Sequence, residues 1–213
     1  MLSIPSLHRR DRVPKIVHHD QRRDLIADAA AGVIAQRGFT DTKLRDIAAA
    51  TGFSTGACRH YFRDKESLLC AAVERVFTRI FLKLAAVSLP LTMEEAEGIL
   101  PCTTAKQKDW RVWVAYCGAA VTSPPLQIMH ERHYGQLEAI LMARLPGIEA
   151  ERRMLAGTVV TVIDGIGLYA TVQPRSWPPN RQRDTLRTLL ASCLPAQAAV
   201  GGGQSSIGLC QGS

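Results

Sequence analysis

The sequence lacks the residue patterns that most enzymes, metalloproteins and disulfide-rich proteins need. Its six cysteines, at positions 58, 70, 102, 117, 193 and 210, include no C-x-x-C pair. Several stand in apolar helical runs, so we predict reduced core residues and no disulfide framework. G-x-S-x-G, H-E-x-x-H and phosphate-loop motifs are also missing. We therefore expect no catalytic site, no cofactor and no metal.

Two other absences concern membranes. The N-terminus has no apolar core of about 7 to 15 residues, which a signal peptide requires. No apolar run approaches the roughly 20 residues of a membrane span. We therefore expect a cytoplasmic protein with no membrane partner.

The charge of the chain is unevenly distributed. Its 213 residues carry a formal net charge of +7. Residues 1–83 hold 15 Lys and Arg against 9 Asp and Glu, whereas residues 84–213 hold 11 against 10. A basic half of this kind suits a nucleic-acid partner. Part of the surplus belongs to residues 1–21, predicted to be a flexible basic arm, for which a solvated tail is the alternative explanation.

Residues 42–66 have the pattern of a helix-turn-helix. Thr42 can cap a first short helix, whose apolar residues recur at i, i+3 and i+4. Gly52 then supplies the positive φ of a tight turn, and Ser54 can cap a second helix that runs to about Tyr61. The second helix leaves a short, basic outward face, as a recognition helix does. The candidate DNA-binding residues are Thr42, Arg45, Ser54, Thr55, Gly56, Ala57, Arg59, His60, Tyr61 and Lys65.

From residue 22 to residue 69 the chain resembles the DNA-binding domain of the TetR family of bacterial repressors. The resemblance includes the sequence Arg-Gly-Phe at 37–39, the triplet His-Tyr-Phe at 60–62 and a lysine at 65. It implies that the second helix enters the major groove and that Tyr61 and Lys65 bind the DNA backbone. Thr55 and Arg59 stand where Lys and Tyr are common, so we expect base readout to differ from typical members.

Apolar periodicity and Pro or Gly stops predict helices along the whole chain and no strand. The helices are expected at about 22–37, 42–51, 54–61, 65–84, 92–100, 106–122, 126–144, 149–172 and 180–194. The predicted fold is all-α, with a three-helix DNA-binding domain at 22–65 and a helical ligand-sensing and dimerisation domain at 66–195. Residues 196–213, rich in Gly and Ser, are expected to be disordered.

The second half also bears a family resemblance, carried by residues 110–141 and by the apolar segment 159–172. These segments are similar to the C-terminal domain of the choline-responsive repressors of glycine betaine synthesis, a branch of the TetR family. This resemblance implies a repressor that binds a palindromic operator in double-stranded DNA as a homodimer and is released by a small-molecule inducer. The alternatives are a hydrophobic acyl or drug-like ligand, or control by a protein partner with a filled sensor core.

Aromatic residues cluster in the predicted sensor domain. Trp110, Trp113 and Tyr116 follow one another at i, i+3 and i+6, and Tyr134 lies on a later helix. Such a stripe is typical of a helical core, but rings beside a carboxylate are also how quaternary ammonium groups are held. Asp164 supplies that carboxylate within an apolar run, where an unpaired charge is costly. Its partner is expected to be a backbone group or arginine across a subunit interface, or a cationic ligand.

Three other features have simpler explanations. His130 and His133 are spaced i, i+3 on one helix but have no evident third ligand, so we predict no metal there. Cys117 has no basic neighbour at helical spacing and is interpreted as a structural thiol. The helices at about 151–172 and 180–194 are predicted to form the dimer interface through small and apolar residues. These residues are Gly157, Gly165, Gly167, Ala170, Leu186, Leu189 and Leu190.

Overall fold

The computed structural model of the protein describes residues 15–86 and 89–194. Within these ranges it contains nine α-helices and no strand, which confirms the predicted all-α class. The helices are α1 (Lys15–Arg37), α2 (Leu44–Thr51), α3 (Thr55–Tyr61), α4 (Lys65–Ala85), α5 (Met93–Glu97), α6 (Thr104–Ala120), α7 (Pro124–Met142), α8 (Glu149–Val172) and α9 (Pro179–Leu190). The predicted disordered tail, 196–213, and residues 1–14 of the predicted arm lie outside the described residues.

Helix α1 begins earlier than the sequence pattern indicates. It starts at Lys15 instead of near residue 22, so residues 15–21 of the predicted flexible arm are helical. The ring of His19 lies 4.7 Å from that of Tyr61, and this contact brings the first turns of α1 against the end of α3. Apolar periodicity could not reveal this extension because the contact is made by an exposed histidine.

The helix-turn-helix forms as expected, apart from its first cap. Gly52 adopts φ 71° after α2, and the hydroxyl of Ser54 accepts a hydrogen bond of 3.0 Å from the backbone N–H of Ala57. The predicted cap by Thr42 is wrong, since Lys43 occupies the N-cap position without a side-chain bond. Thr42 is fully buried, and its hydroxyl donates to the carbonyl of Gly38 over 2.7 Å.

A continuous core joins the helices of the predicted DNA-binding domain to those of the predicted sensor domain. Buried residues of α1 to α4 pack with Val112 and Tyr116 of α6 and with Leu126 of α7. The predicted boundary near residue 65 is therefore a boundary in sequence, and the packing extends across it. A second core, centred on α8 and α9, includes Trp110, Ile163 and other buried residues. Helix α4 contributes to both cores, through Phe77 to the first and Leu84 to the second.

Helix α8 has one buried face and one exposed apolar face. Gly167, Ala170, Leu186 and Leu190 are buried within the chain itself, so their predicted place in a subunit interface is wrong. The outward face of α8 instead presents an uncharged stripe at intervals of three and four residues. This stripe comprises Met154, Thr158, Thr161, Gly165, Leu168 and Val172. Helix α8 is also long and apolar enough to cross a membrane by length and composition, contrary to the expectation that no segment approaches a membrane span. A single helix of this kind is weak evidence, because the core helix of a soluble protein passes the same test.

Candidate DNA-binding surface and ligand cavity

The outward face of α3 presents short and basic side chains to solvent. Thr55, Gly56, Arg59 and His60 are exposed, while Cys58 and the following Phe62 are buried. Among the described side chains, Arg59 has no ion-pair partner, so its guanidinium is available for an external acceptor. A guanidinium on the exposed face of a recognition helix has the geometry needed for bidentate binding to guanine.

The flanks of α3 carry the predicted backbone contacts. Tyr61 is half-buried at the end of α3, and Lys65 is the first residue of α4. Asp64 caps α4 with a hydrogen bond of 2.7 Å from the backbone N–H of Ser67. The ammonium of Lys65 donates to the carbonyl of Thr40 over 2.9 Å, which holds the exposed lysine beside the helix-turn-helix.

The remaining predicted DNA contacts divide into exposed and buried positions. Arg45 is exposed on α2, whereas Ala57 is half-buried in the first turn of α3. Ser54 is exposed, but its hydroxyl is engaged in capping α3. Thr42 is fully buried, so its side chain is not presented to DNA in this structure. A proposed direct contact by the Thr42 side chain is therefore not supported.

A cavity of about 140 Å³ lies between the helices of the sensor domain. Its wall is mostly apolar and comes from α4, α6, α7, α8 and the segment after α5. Four of the five predicted ligand-binding residues line it: Trp110, Trp113, Tyr134 and Asp164. Trp110 and Trp113 pack edge to face, with ring centroids 5.1 Å apart. The indole N–H of Trp110 donates to the carbonyl of Ile99 over 3.0 Å, which fixes this ring in the wall.

The prediction is wrong for Tyr116, the fifth residue of the set. Its side chain is fully buried outside the cavity, and its hydroxyl donates to the carbonyl of Leu126 over 2.9 Å. The ring lies 6.3 Å from Phe39 and 6.4 Å from Phe77, in the core that joins the two domains. The spacing i, i+6 rotates Tyr116 away from Trp110 by about 240°, so the two rings point to different sides of α6.

A hydrogen-bonded chain runs along the wall of the cavity. The indole N–H of Trp113 donates to the hydroxyl oxygen of Tyr134 over 3.0 Å. The same hydroxyl donates to the Asp164 carboxylate over 2.5 Å. Asp164 thus has a hydrogen-bond partner in the same polypeptide, in place of the backbone group or arginine across a subunit interface that was one expectation from the sequence. The other expectation, a cationic ligand, stays a prediction. These two hydrogen bonds hold Trp113 and Tyr134 beside the Asp164 carboxylate.

Burial shifts the ionisation of the Asp164 carboxylate at the end of these hydrogen bonds. Desolvation raises the pKa of Asp164 from 3.8 to about 6, and the Tyr134 hydrogen bond counteracts only part of that shift. At neutral pH the wall therefore contains a poorly solvated negative charge, which a cation in the cavity would stabilise. Burial and the nearby Asp164 also raise the pKa of Cys117 to about 12, which keeps its thiol protonated and supports a structural role.

Charged residues that sequence reasoning missed also line the cavity: Arg79, Lys83, Lys106 and Asp109. Arg79 pairs with Asp109, so their charges offset each other. Burial and the positive charge of Lys106 lower the pKa of Lys83. A signal for the residues on α4 was present, because Arg79 and Lys83 lie three residues after the cavity-lining Val76 and Ile80 and so share a helix face with them.

An ion-pair network connects the cavity wall to α1. Arg79 contacts Asp28 of α1 at 3.2 Å and Asp109 of α6. Arg75 binds Asp28 at 2.8 Å and Asp24 at 2.9 Å. Burial raises the pKa of Asp28, but the hydrogen bonds and charges of the two arginines outweigh it, and the net pKa is lowered. The cavity-lining Arg79 is therefore ion-paired with α1, the first helix of the DNA-binding domain.

The two histidines of α7 make different contacts: His133 binds the neighbouring helix α4, and His130 stacks within α7. The Nε2 atom of His133 lies 2.9 Å from the carboxylate of Glu74 on α4, and its ring stacks on Phe77 with centroids 4.1 Å apart. His130 stacks on Tyr134, also at 4.1 Å. Within the described residues there is no group of three or more side chains that could bind a metal ion.

A helix-turn-helix joined through α4 to a helical domain with a cavity defines a transcription regulator, and sequence comparisons identify its family. Residues 26–72 match the model of bacterial regulatory proteins of the tetR family, and residues 95–195 match the C-terminal model of BetI-type transcriptional repressors. The protein therefore belongs to the TetR family and has a BetI-type C-terminal domain. Both resemblances predicted from the sequence are confirmed.

Two individual relatives agree with this assignment, and a solved structure has the same fold. The regulator PksA of Bacillus subtilis (strain 168) is 28% identical over 173 residues, covering 76% of this chain and 84% of PksA. The regulator BetI of Cronobacter sakazakii is 26% identical over 199 residues, covering 88% of this chain and 96% of BetI. A structure of a putative transcriptional regulator from Saccharomonospora viridis in complex with choline has a TM-score of 0.62 and 20% identity, and the match covers 81% of this chain and 96% of that one.

Proposed function

We propose that the protein is a cytoplasmic transcriptional repressor that binds a palindromic operator as a homodimer and is released by a small-molecule inducer. The main observation that supports this proposal is the position of α4. This helix follows the recognition helix α3 directly, and it also forms one wall of the sensor cavity. A ligand in the cavity can therefore act on the DNA-binding domain through a single rigid element.

The same helix provides the mechanism of release. Two recognition helices must be about 34 to 36 Å apart to enter successive major grooves. An inducer that binds better when α4 is displaced shifts the population away from this spacing. The loss of operator affinity cannot exceed the difference between the inducer's affinities for the two arrangements. The open cavity favours this mechanism over control by a protein partner with a filled sensor core.

The cavity wall indicates the chemistry of the inducer. The rings of Trp110, Trp113 and Tyr134 surround a cavity that also contains the Asp164 carboxylate. Aromatic faces and a desolvated carboxylate stabilise a cation together, the rings contributing about 2 kcal/mol or more when desolvated. The inducer is accordingly a small, mostly apolar molecule with a cationic group, and choline, the ligand in the structure of the Saccharomonospora viridis regulator, is the first compound to test.

Calorimetry of the purified protein with choline tests the ligand proposal. Trp113→Ala removes a ring of the cavity and the hydrogen bond to Tyr134, so we expect choline binding to be lost while operator affinity without ligand is kept. Trp177→Ala is the matched control, because Trp177 stacks on Tyr169 and does not line the cavity. Choline binding that survives Trp113→Ala would reject the cage, and binding of acyl or drug-like compounds alone would select the hydrophobic-ligand alternative.

DNA recognition is proposed to divide between backbone and base contacts. Tyr61 and Lys65 bind phosphates, because they flank α3 where the N-terminus of α4 and an ammonium group converge. Lys65→Ala is expected to weaken binding to specific and scrambled duplexes alike and to reduce the salt slope by about 1. An unchanged slope together with unchanged nonspecific affinity would contradict this role.

Arg59 is proposed to read a base edge in the major groove. A bidentate contact from its guanidinium to guanine contributes about 1 to 3 kcal/mol of discrimination. We expect binding-site selection with Arg59→Ala to return a consensus relaxed at one position in each half-site. The parental consensus at the parental stringency would show that Arg59 does not read sequence.

The uncharged stripe on α8 is proposed to form the homodimer contact, together with the exposed Leu189 of α9. Six outward residues of α8 lie along one face, and Leu168 and Val172 are 42% and 61% exposed in the single chain. An apolar face of this length is typical of a subunit interface. Gly165 lies within the stripe, where the absence of a side chain allows a second helix to approach closely.

A further inference from the structure

The two ends of the cavity carry opposite charges. At one end, Tyr134 binds Asp164, and the Tyr134 ring lies 6.2 Å from Phe77 of α4. At the other end, Lys83 and Lys106 extend from α4 and α6. The pair Arg79 and Asp109 is neutral overall, so these two ends determine the charge pattern that a ligand meets.

The lysine end contains an excess positive charge. Neither Lys83 nor Lys106 forms a salt bridge with a carboxylate in the part of the chain that the structure describes. Lys83 donates to the backbone carbonyl of Gly98, and desolvation together with the proximity of Lys106 lowers its pKa. Two neighbouring ammonium groups repel each other, so an anion bound between them would be stabilised by both.

Gly98 makes room for this arrangement. A Cβ atom at this position would come closer than 3.0 Å to the Lys83 ammonium nitrogen, which real Cβ atoms essentially never do. The glycine thus permits the lysine head group to lie at the cavity wall instead of being displaced from it.

Helix geometry gives the separation of the two ends. Phe77, at the Asp164 end, precedes Lys83 by six residues on α4, which corresponds to about 9 Å along the axis. Trp113, which is bonded to Tyr134, follows Lys106 by seven residues on α6, or about 10 Å. On both helices the backbone positions of the lysine and of the aromatic residue at the Asp164 end are therefore separated by a similar axial rise, with the apolar wall between them.

We propose that the inducer is a zwitterion, with its anionic group bound between Lys83 and Lys106 and its cationic group against Asp164 and Tyr134. This inference rests on the proposed function, because it assumes that the cavity holds the inducer. It adds a carboxylate- or phosphate-like group at the far end of an apolar linker. Lys83 is exposed and Lys106 is half-buried, so a molecule with only a cation would leave both ammonium groups bound by solvent and, for Lys83, by the Gly98 carbonyl.

Three probes that share a six-carbon chain test the proposal: trimethylammonio-hexanoate, hexyltrimethylammonium and hexanoate. In calorimetry on the full chain, we expect the zwitterion to bind at least about tenfold more tightly than hexyltrimethylammonium, because its carboxylate gains charge-assisted hydrogen bonds. The double variant Lys83→Met with Lys106→Met is expected to lose this preference and to retain its affinity for hexyltrimethylammonium, which shows that it is folded. Lys108→Met, on the same helix and outside the cavity, is expected to keep the preference.

The outcomes separate this inference from the proposed function. The zwitterion proposal is overturned if the wild type binds the zwitterion and the cation with equal affinity, or if the preference for the zwitterion survives the double variant. In either case, operator release by the cation would still support the proposed inducer site. Binding of hexanoate as tightly as the zwitterion overturns the role of Asp164 as a cation site. Failure of all three probes to bind overturns both the zwitterion and the cationic inducer.

Discussion

Replacing Gly167 by alanine is expected to disrupt the sensor cavity while preserving DNA binding. A Cβ atom at this position of α8 would overlap three atoms of the Trp110 six-membered ring, each closer than 3.0 Å. Ordinary carbon contacts lie at about 3.5 to 4.0 Å, so the ring or the helix must move. Trp110 is largely buried and fixed by its hydrogen bond to Ile99, which leaves little space for such a shift.

The expected magnitude follows from opposing effects. Overpacking a well-packed core costs about 1 to 3 kcal/mol, and loss of the Trp110 hydrogen bond costs about 1 kcal/mol more. Alanine in place of a helical glycine recovers about 1 kcal/mol of helix propensity. The net effect of Gly167→Ala is therefore a destabilisation of about 1 to 3 kcal/mol, with weakened choline binding because Trp110 moves in the cavity wall.

Urea unfolding and choline calorimetry measure the two effects separately. Gly118→Ala is the matched control, because Gly118 is exposed on α6 and a Cβ there meets nothing within 4 Å. It is expected to be neutral or to stabilise the protein by up to about 1 kcal/mol. If Gly167→Ala were as stable as Gly118→Ala and bound choline with wild-type affinity, the close packing of Trp110 on α8 would be refuted.

Three further predictions concern charge, coupling and assembly. Burial raises the pKa of Asp164 from 3.8 to about 6, so its ionisation opposes folding increasingly as pH rises through that interval. In urea unfolding, Asp164→Asn is accordingly expected to raise the free energy of unfolding by up to about 3 kcal/mol above pH 6 and by almost nothing below pH 4. An equal effect at both pH values would contradict the raised pKa of Asp164. Choline is expected to lower operator affinity by a smaller factor in Asp28→Asn, which removes the acceptor shared by two arginines, than in Asp24→Asn, which affects one arginine. Equal factors in the two variants would argue against the network. Leu168→Arg is expected to sediment as a monomer at micromolar concentration. Ile128→Arg, an exposed control on α7, is expected to remain dimeric. A dimeric Leu168→Arg would exclude the α8 stripe as the dimer interface.

The fold was predictable where apolar spacing and local caps determine structure. Ser54 caps α3 as predicted, and the helix expected from about residue 92 is capped by Thr92 through a T-x-x-E capping box, since capping depends on residues within one turn. Helix α7 begins at Pro124 and includes two prolines that were predicted to lie between helices. Proline is compatible with the first turn of a helix, where its missing N–H has no intrahelical partner, so the same residues can end one helix or begin the next.

The candidate site was less predictable because it depends on contacts between distant segments. Trp110, Trp113, Tyr134 and Asp164 were predicted from composition and line one cavity, but helical rotation turns Tyr116 away from Trp110 and into the core that joins the two domains. The tyrosine partner of Asp164 comes from another helix, 30 residues away in sequence. Similarly, Gly167 receives the Trp110 ring within one chain, although a small residue in an apolar helix is equally compatible with a subunit contact.

Footprinting the DNA that flanks the 5′ end of the coding gene tests the central claim most directly. The purified protein is expected to protect a palindrome with two half-sites about 34 to 36 Å apart, and the Arg59→Ala variant is expected to protect it more weakly. Addition of choline or the zwitterionic probe is expected to remove the protection. Protection that lacks two-fold symmetry and persists with Arg59→Ala would contradict recognition by α3, and the absence of any protected sequence would contradict the proposed repressor function at this locus.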